Sequence, residues 1–235
     1  MSFHEPSLWG VIKQQWLYKM RAYRQVFTSF IFIQLLFLLF ATQPFGSSDT
    51  MNIYSVLTML VVLLIWQGIA AFLLTTKGYR YDDVTFICNA TTSTIANALF
   101  LLTTAVFAAS MMFFVSRALV VILLFNEVDA LYVQDINMQQ MMIEGFVQML
   151  YFLVVGSIGY LIGMLVQWHK KAVFSIVLLV IIGYVLMGNS YIANFVKLFT
   201  EETSLVIFTL KALVVSCACY SISYFISREV EVDGS

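Results

Sequence analysis

The chain is 235 residues long, 61% hydrophobic and only 11% charged, with a formal net charge of −1. A soluble domain carries roughly twice that charged share and could not cover so much apolar surface, so the solvent for most of this chain is lipid. The near-neutral balance argues against nucleic acid as a partner, because that needs a basic field.

The first element is amphipathic. Trp9, Ile12, Trp16, Met20, Tyr23 and Phe27 recur at spacings of three and four, while Gln14, Arg21, Arg24 and Gln25 occupy another face. That period predicts a helix over 7–25 lying in the membrane interface, apolar face in the lipid and arginines at the headgroups. A cleaved signal peptide is the poorer reading, since Leu39-Phe40-Ala41 lacks the small-x-small pattern of a cleavage site.

Six apolar segments follow, at about 26–43, 53–75, 95–125, 145–167, 172–188 and 205–226, each near the length a helix needs to cross hydrocarbon. The expected fold is therefore all-α, a polytopic membrane domain of six transmembrane helices. The third segment is overlong, which implies tilt or projection beyond the bilayer. Lys13, Lys19, Arg21, Arg24, Lys77, Arg80, Lys170, Lys171 and Arg228 fall on one side of that arrangement, and only Lys197 falls in an opposite loop. The opposite loops carry Asp49, Glu127, Asp129, Asp135, Glu144, Glu201 and Glu202. The positive-inside rule then places both termini in the cytoplasm.

Between the second and third segments stands "TTKGYRYDDVTFICNATTST", Thr75 to Thr94. It is too polar to cross a membrane, yet lacks the glycine and proline of a flexible linker. Tyr79, Tyr81, Val84 and Phe86 give it an apolar component, and Arg80, Asp82 and Asp83 give it charge. Such an element can seat in a groove on another protein; the alternative is a solvated loop. Thr91 to Thr94 offer hydroxyl caps for a helix starting near Ile95. Asn89-Ala90-Thr91 also fits a glycosylation sequon, but the topology puts it in the cytoplasm.

Catalytic patterns are thin. There is no P-loop sequence for ATP. The two histidines, His4 and His169, lie at segment edges, so Gly156-Ser157-Ile158-Gly159 has no base within a span to activate the serine. Glu201-Glu202 reads as ordinary loop charge. Met138, Met141 and Met142 form a thioether cluster of the kind that binds copper(I), but methionine is also a gap filler. Cys217 and Cys219, two apart on a helix, point about 200° from each other and read as packing residues. No catalytic residue, resident cofactor or metal is expected. Arg117 and Lys211 are the two charges inside segments, and either snorkel outward or form a positive vestibule near Glu144. Gly156, Gly159 and Gly163 share one helix at packing-type spacing.

Taken together, the layout resembles the permease subunit of ABC-2 type ABC exporters. The resemblance rests on "SLWGVIKQQWLYKMRAYR" before six spans, and on "YRYDDVTFICNATTSTIANALFLL", a short cytoplasmic segment leading into a long third span. Many relatives carry a proline where Asn89-Ala90 stands here, and "NSYIANFVKLFTEETS" is shorter than the outer domain some carry. The resemblance implies that 78–90 is a coupling segment, with Tyr79, Arg80, Tyr81, Asp82, Asp83, Val84 and Phe86 against a separate ATPase subunit that holds ATP and magnesium. It also implies a second permease copy, identical or homologous, and residence in a bacterial cell membrane. A self-contained secondary transporter or channel, or a non-transporting scaffold or sensor, remain the alternatives. The first of these would predict acids or Gly/Pro-broken helices at the midplane.

Overall fold

The computed structural model describes residues 7–41, 56–76, 89–125, 138–169, 197, 202 and 204–233. Within them the chain forms six long helices and no strand: α1 (Leu8–Ala22), α2 (Arg24–Ala41), α3 (Val56–Leu74), α4 (Ala90–Phe125), α5 (Met138–Trp168) and α6 (Leu205–Asp233). Three stretches are long and apolar enough to cross a membrane unaided: Ala90–Ala118, Met138–Trp168 and Leu205–Glu229. A fourth results if α1 and α2, bent by 47° at Tyr23, count as one broken span. Helix α3 is 19 residues long and apolar along its length. These helices and the composition mark a membrane protein. The fifth apolar segment, 172–188, lies outside the described residues.

The element ends follow from local chemistry. Ser7 caps α1, its hydroxyl accepting from Gly10 N at 3.2 Å, which satisfies one of the four orphan donors at a helix start. The α4 helix begins at Ala90, about one turn earlier than the apolar pattern indicates. Asn89 stands at its front, and the Thr92 hydroxyl both donates to Asn89 O (2.9 Å) and accepts from Asn89 N (3.2 Å). Thr91 to Thr94 are thus inside the helix rather than ahead of it, a correction to the expected start. Thr92 and Thr94 are buried there. They face protein there instead of lipid or water, so hydropathy alone misplaces the boundary.

Helix α5 is the centre of the bundle, packing against α3, α4 and α6. One core cluster joins Tyr23, Ala71, Leu74, Phe100, Leu101, Tyr160, Met164 and Ile226. A second joins Phe30, Met59, Leu63, Met112 and Phe152 with the alanines of α4. Close approach of α3 to α5 depends on glycine. A Cβ at Gly159 would stand 2.5 Å from the Gly68 carbonyl oxygen and 3.0 Å from Gly68 Cα. One at Gly163 would collide with the Thr75 side chain and lie 3.1 Å from Phe72 O. Small residues let backbones meet in lipid, where dispersion and hydrogen bonding replace the hydrophobic drive.

Candidate functional site

The residues assigned to a coupling segment, Tyr79, Arg80, Tyr81, Asp82, Asp83, Val84 and Phe86, lie outside the described residues. Arg117 and Lys211 are described, and they differ in their surroundings. Lys211 forms an ion pair with Glu202, which stands just ahead of α6. Its charge is therefore neutralised locally. With 33% and 22% of the two side chains exposed, the pair is worth little, on the order of 0.5 kcal/mol. Lys211→Met and Glu202→Gln should each shift the unfolding midpoint only slightly, and the double variant should match the single ones. A large loss in either, read by thermal unfolding in detergent, would assign Lys211 a role beyond this pair.

Arg117 stacks over the Phe113 ring one turn earlier on α4, its guanidinium carbon 5.8 Å from the centroid. Its Nε is buried without a hydrogen-bond partner. Glu144, the acid expected nearby, is exposed on α5, and no ion pair joins it to Arg117 among the described residues.

The principal polar constellation lies elsewhere. Lys19 is 1% exposed, one of the largest fully buried side chains in the protein. Its ammonium donates to Asn97 Oδ1 of α4, and Asn97 Nδ2 donates to the Tyr160 hydroxyl of α5 at 3.1 Å. Trp16 Nε1, one turn before Lys19, donates to Thr103 Oγ1 at 3.2 Å. These bonds fix the face that α1 turns inward. Ile12, Gln15, Lys19 and Tyr23, spaced by three and four, are buried, whereas Trp9 is 62% exposed and Leu8 and Leu17 are exposed with it. The expectation that Ile12, Trp16 and Tyr23 dip into lipid is corrected: that stripe meets α4, and Trp9 with Leu8 and Leu17 faces outward. The inward face wins because Asn97 and Thr103 give polar atoms of α1 partners that lipid cannot offer, with Tyr160 accepting from Asn97 behind them.

Further polar bonds cross between the helices. Gln67 of α3 donates to Thr104 Oγ1 (3.1 Å) and Leu101 O (3.4 Å) of α4. Trp66 Nε1 donates to Ser29 Oγ of α2 at 3.2 Å, and the Thr91 hydroxyl of α4 donates to the Tyr224 hydroxyl of α6 at 3.4 Å. Each bond satisfies polar atoms that would otherwise face hydrocarbon. Ser157 is buried and donates to Val154 O at 2.7 Å, so its hydroxyl is satisfied by the backbone of its own helix. Cys217 is exposed and Cys219 buried, so the two occupy different faces. Met141 is buried while Met138 and Met142 are exposed, so the three thioethers do not share one environment.

Sequence reasoning missed Asn97, Thr103 and Tyr160, and took Lys19 for a marker of topology. The signal for Lys19 was present in its spacing. It continues the Ile12–Gln15 stripe at i+4, on the face that also carries Tyr23.

No family model matches the sequence, and no curated protein or solved structure is similar to it.

Proposed function

We propose that this chain is the permease subunit of an ABC-2 type exporter, moving its substrate outward by alternating access and driven by ATP hydrolysis on a separate subunit. One observation carries the reading. Residues 77–88 lead directly into α4, and the first turns of α4 are tied to the N-terminal helix through Lys19–Asn97 and Trp16–Thr103. On this reading, force applied at that short polar segment would reach α4, and through these side-chain bonds α1 and α5. A separate ATPase supplies the energy on this reading, since the sequence contains no P-loop. The six-span layout with both termini cytoplasmic belongs to the same proposal, as does pairing with a second permease copy.

The test is association with an ATPase. Tagged protein should co-elute with an endogenous ATPase subunit in mild detergent. Simultaneous alanine replacement of Tyr81, Val84 and Phe86 should reduce that yield at least tenfold, because anchors central to an interface typically cost about 2 kcal/mol each when truncated. Phe86→Ala should weaken the complex more than Asp82→Ala, a difference readable as relative co-elution. Unchanged co-elution and ATP hydrolysis in the triple variant would return Thr75–Thr94 to a solvated loop.

A self-contained secondary transporter has one observation in its favour, the buried Lys19 ammonium, since ionisable groups inside a bundle often mark ion pathways. Ion uptake by vesicles holding this chain alone would favour that reading over the first.

A further inference from the structure

An apolar groove of about 330 Å³ runs between the middle of α4 and the first turns of α5. Phe113, Phe114, Met142, Phe146 and Met149 line it, and Gly145 lies among them. Its walls face outward: Phe114 is 63% and Met142 72% exposed. Three features distinguish it from an ordinary apolar face.

The first is charge. Arg117 sits one turn beyond Phe113 with its guanidinium over that ring and, among the described residues, no acid paired with it. Nε is buried without a partner. The second is depth. Arg117 lies past the Phe113–Phe114 end of the groove, and Val106 marks the far end. At 1.5 Å per residue these are about 16 Å apart, close to one leaflet of a hydrocarbon core roughly 30 Å thick. The third is Gly145. A mid-helix glycine lowers helix stability, and Gly159 and Gly163 have their reason in the contact with α3. A Cβ at Gly145 would meet nothing within 4 Å, so no packing contact among the described residues requires the glycine. Its effect is to keep the groove open.

We propose that this groove holds one acyl chain of an anionic phospholipid whose phosphate meets Arg117. The phosphate accepts from the guanidinium, which is suited to paired hydrogen bonds with phosphate oxygens, while the chain follows the Phe and Met wall past Gly145. This site is independent of the exporter reading, because it needs neither an ATPase nor a transport pathway.

Native mass spectrometry of the detergent-purified protein, titrated with phosphatidylglycerol or with phosphatidylcholine of the same chains, tests it. The first phosphatidylglycerol should be retained about fivefold more than phosphatidylcholine, the ratio expected for one basic side chain near an anionic headgroup. Arg117→Gln should bring the ratio to about one, Arg117→Lys should keep part of it, and Arg21→Gln, on the exposed face of α1, should leave it unchanged. Gly145→Leu should lower retention of both lipids without disturbing the fold, since the added side chain enters open space. Equal retention of the two lipids by the native protein would overturn the proposal, as would a preference that survives Arg117→Gln or falls equally with Arg21→Gln. Full retention in Gly145→Leu would also overturn it. So would cross-linking of two copies through Gly145→Cys together with no lipid preference, which would make the groove a subunit interface.

Discussion

Gly159→Leu should prevent recovery of folded protein, and Gly159→Ala should already lower stability by about 3 kcal/mol, the upper end of the usual cost of overpacking. The reason is what the new atom would meet. The nearest three atoms to a Cβ at Gly159 are the oxygen, Cα and carbonyl carbon of Gly68. These are backbone atoms of a packed helix, and no rotamer change can move them. Relief requires α3 and α5 to separate. That would open contacts among Ala71, Leu74, Tyr160 and Met164 and would strain the bonds of Gln67 to α4. Gly156 is less severe, since its Cβ would stand 3.1 Å from Gln67 Nε2, an atom at the end of a side chain. Gly145→Ala is the matched control, with nothing within 4 Å, and should be neutral or gain up to about 1 kcal/mol from helix propensity. Monodisperse yield by size exclusion and the thermal midpoint in detergent would rank the set. A Gly159→Leu protein with native yield and midpoint would show that the close crossing is absent in the membrane.

How far these features were legible in the sequence depends on what lies opposite each residue. The all-helical class was readable, because long apolar runs in lipid must satisfy every backbone group internally. The glycine spacing of α5 was readable as packing, but not its partner, since Gly68 and Thr75 lie some ninety residues away and nothing in the run names them. The start of α4 was misread because hydropathy treats threonine as solvent-facing. Here Thr92 and Thr94 are buried against protein, and Thr91 bonds to Tyr224. The orientation of α1 was misread for a related reason. Its period identified a two-faced helix, and lipid was assumed to take the apolar face. Trp9, Leu8 and Leu17 do face outward, but the strip between them carries Gln15 and Lys19 into the bundle. Only the position of Asn97 and Tyr160 makes that burial tolerable, and tertiary placement of that kind is not encoded in local pattern.

The same placement gives an asymmetric expectation at Lys19. Asn97→Leu should cost about 3 kcal/mol, and Lys19→Met less, about 1–2 kcal/mol, although both break the same contact. Removing the asparagine deprives a buried ammonium of an acceptor and leaves the Tyr160 hydroxyl without its donor. Methionine at position 19 instead fills similar volume with apolar atoms and leaves only a neutral amide oxygen short of a donor. Charged groups lose more on desolvation than neutral ones, so the first change is the worse. Lys19 and Tyr160 hold other contacts as well, so single variants alone cannot isolate the pair. The double variant Lys19→Met with Asn97→Leu can: it should be more stable than the sum of the two losses predicts, by at least about 1 kcal/mol. Tyr160→Phe should be the mildest of the series. Unfolding midpoints in one detergent, converted to free energy with a common slope, would measure the coupling. Additive losses, or Lys19→Met as the more damaging single change, would mean that the ammonium is held chiefly by groups other than Asn97. In that case the tie from α1 to α4 would rest on Trp16 and Thr103, about 1.7 turns further along α4.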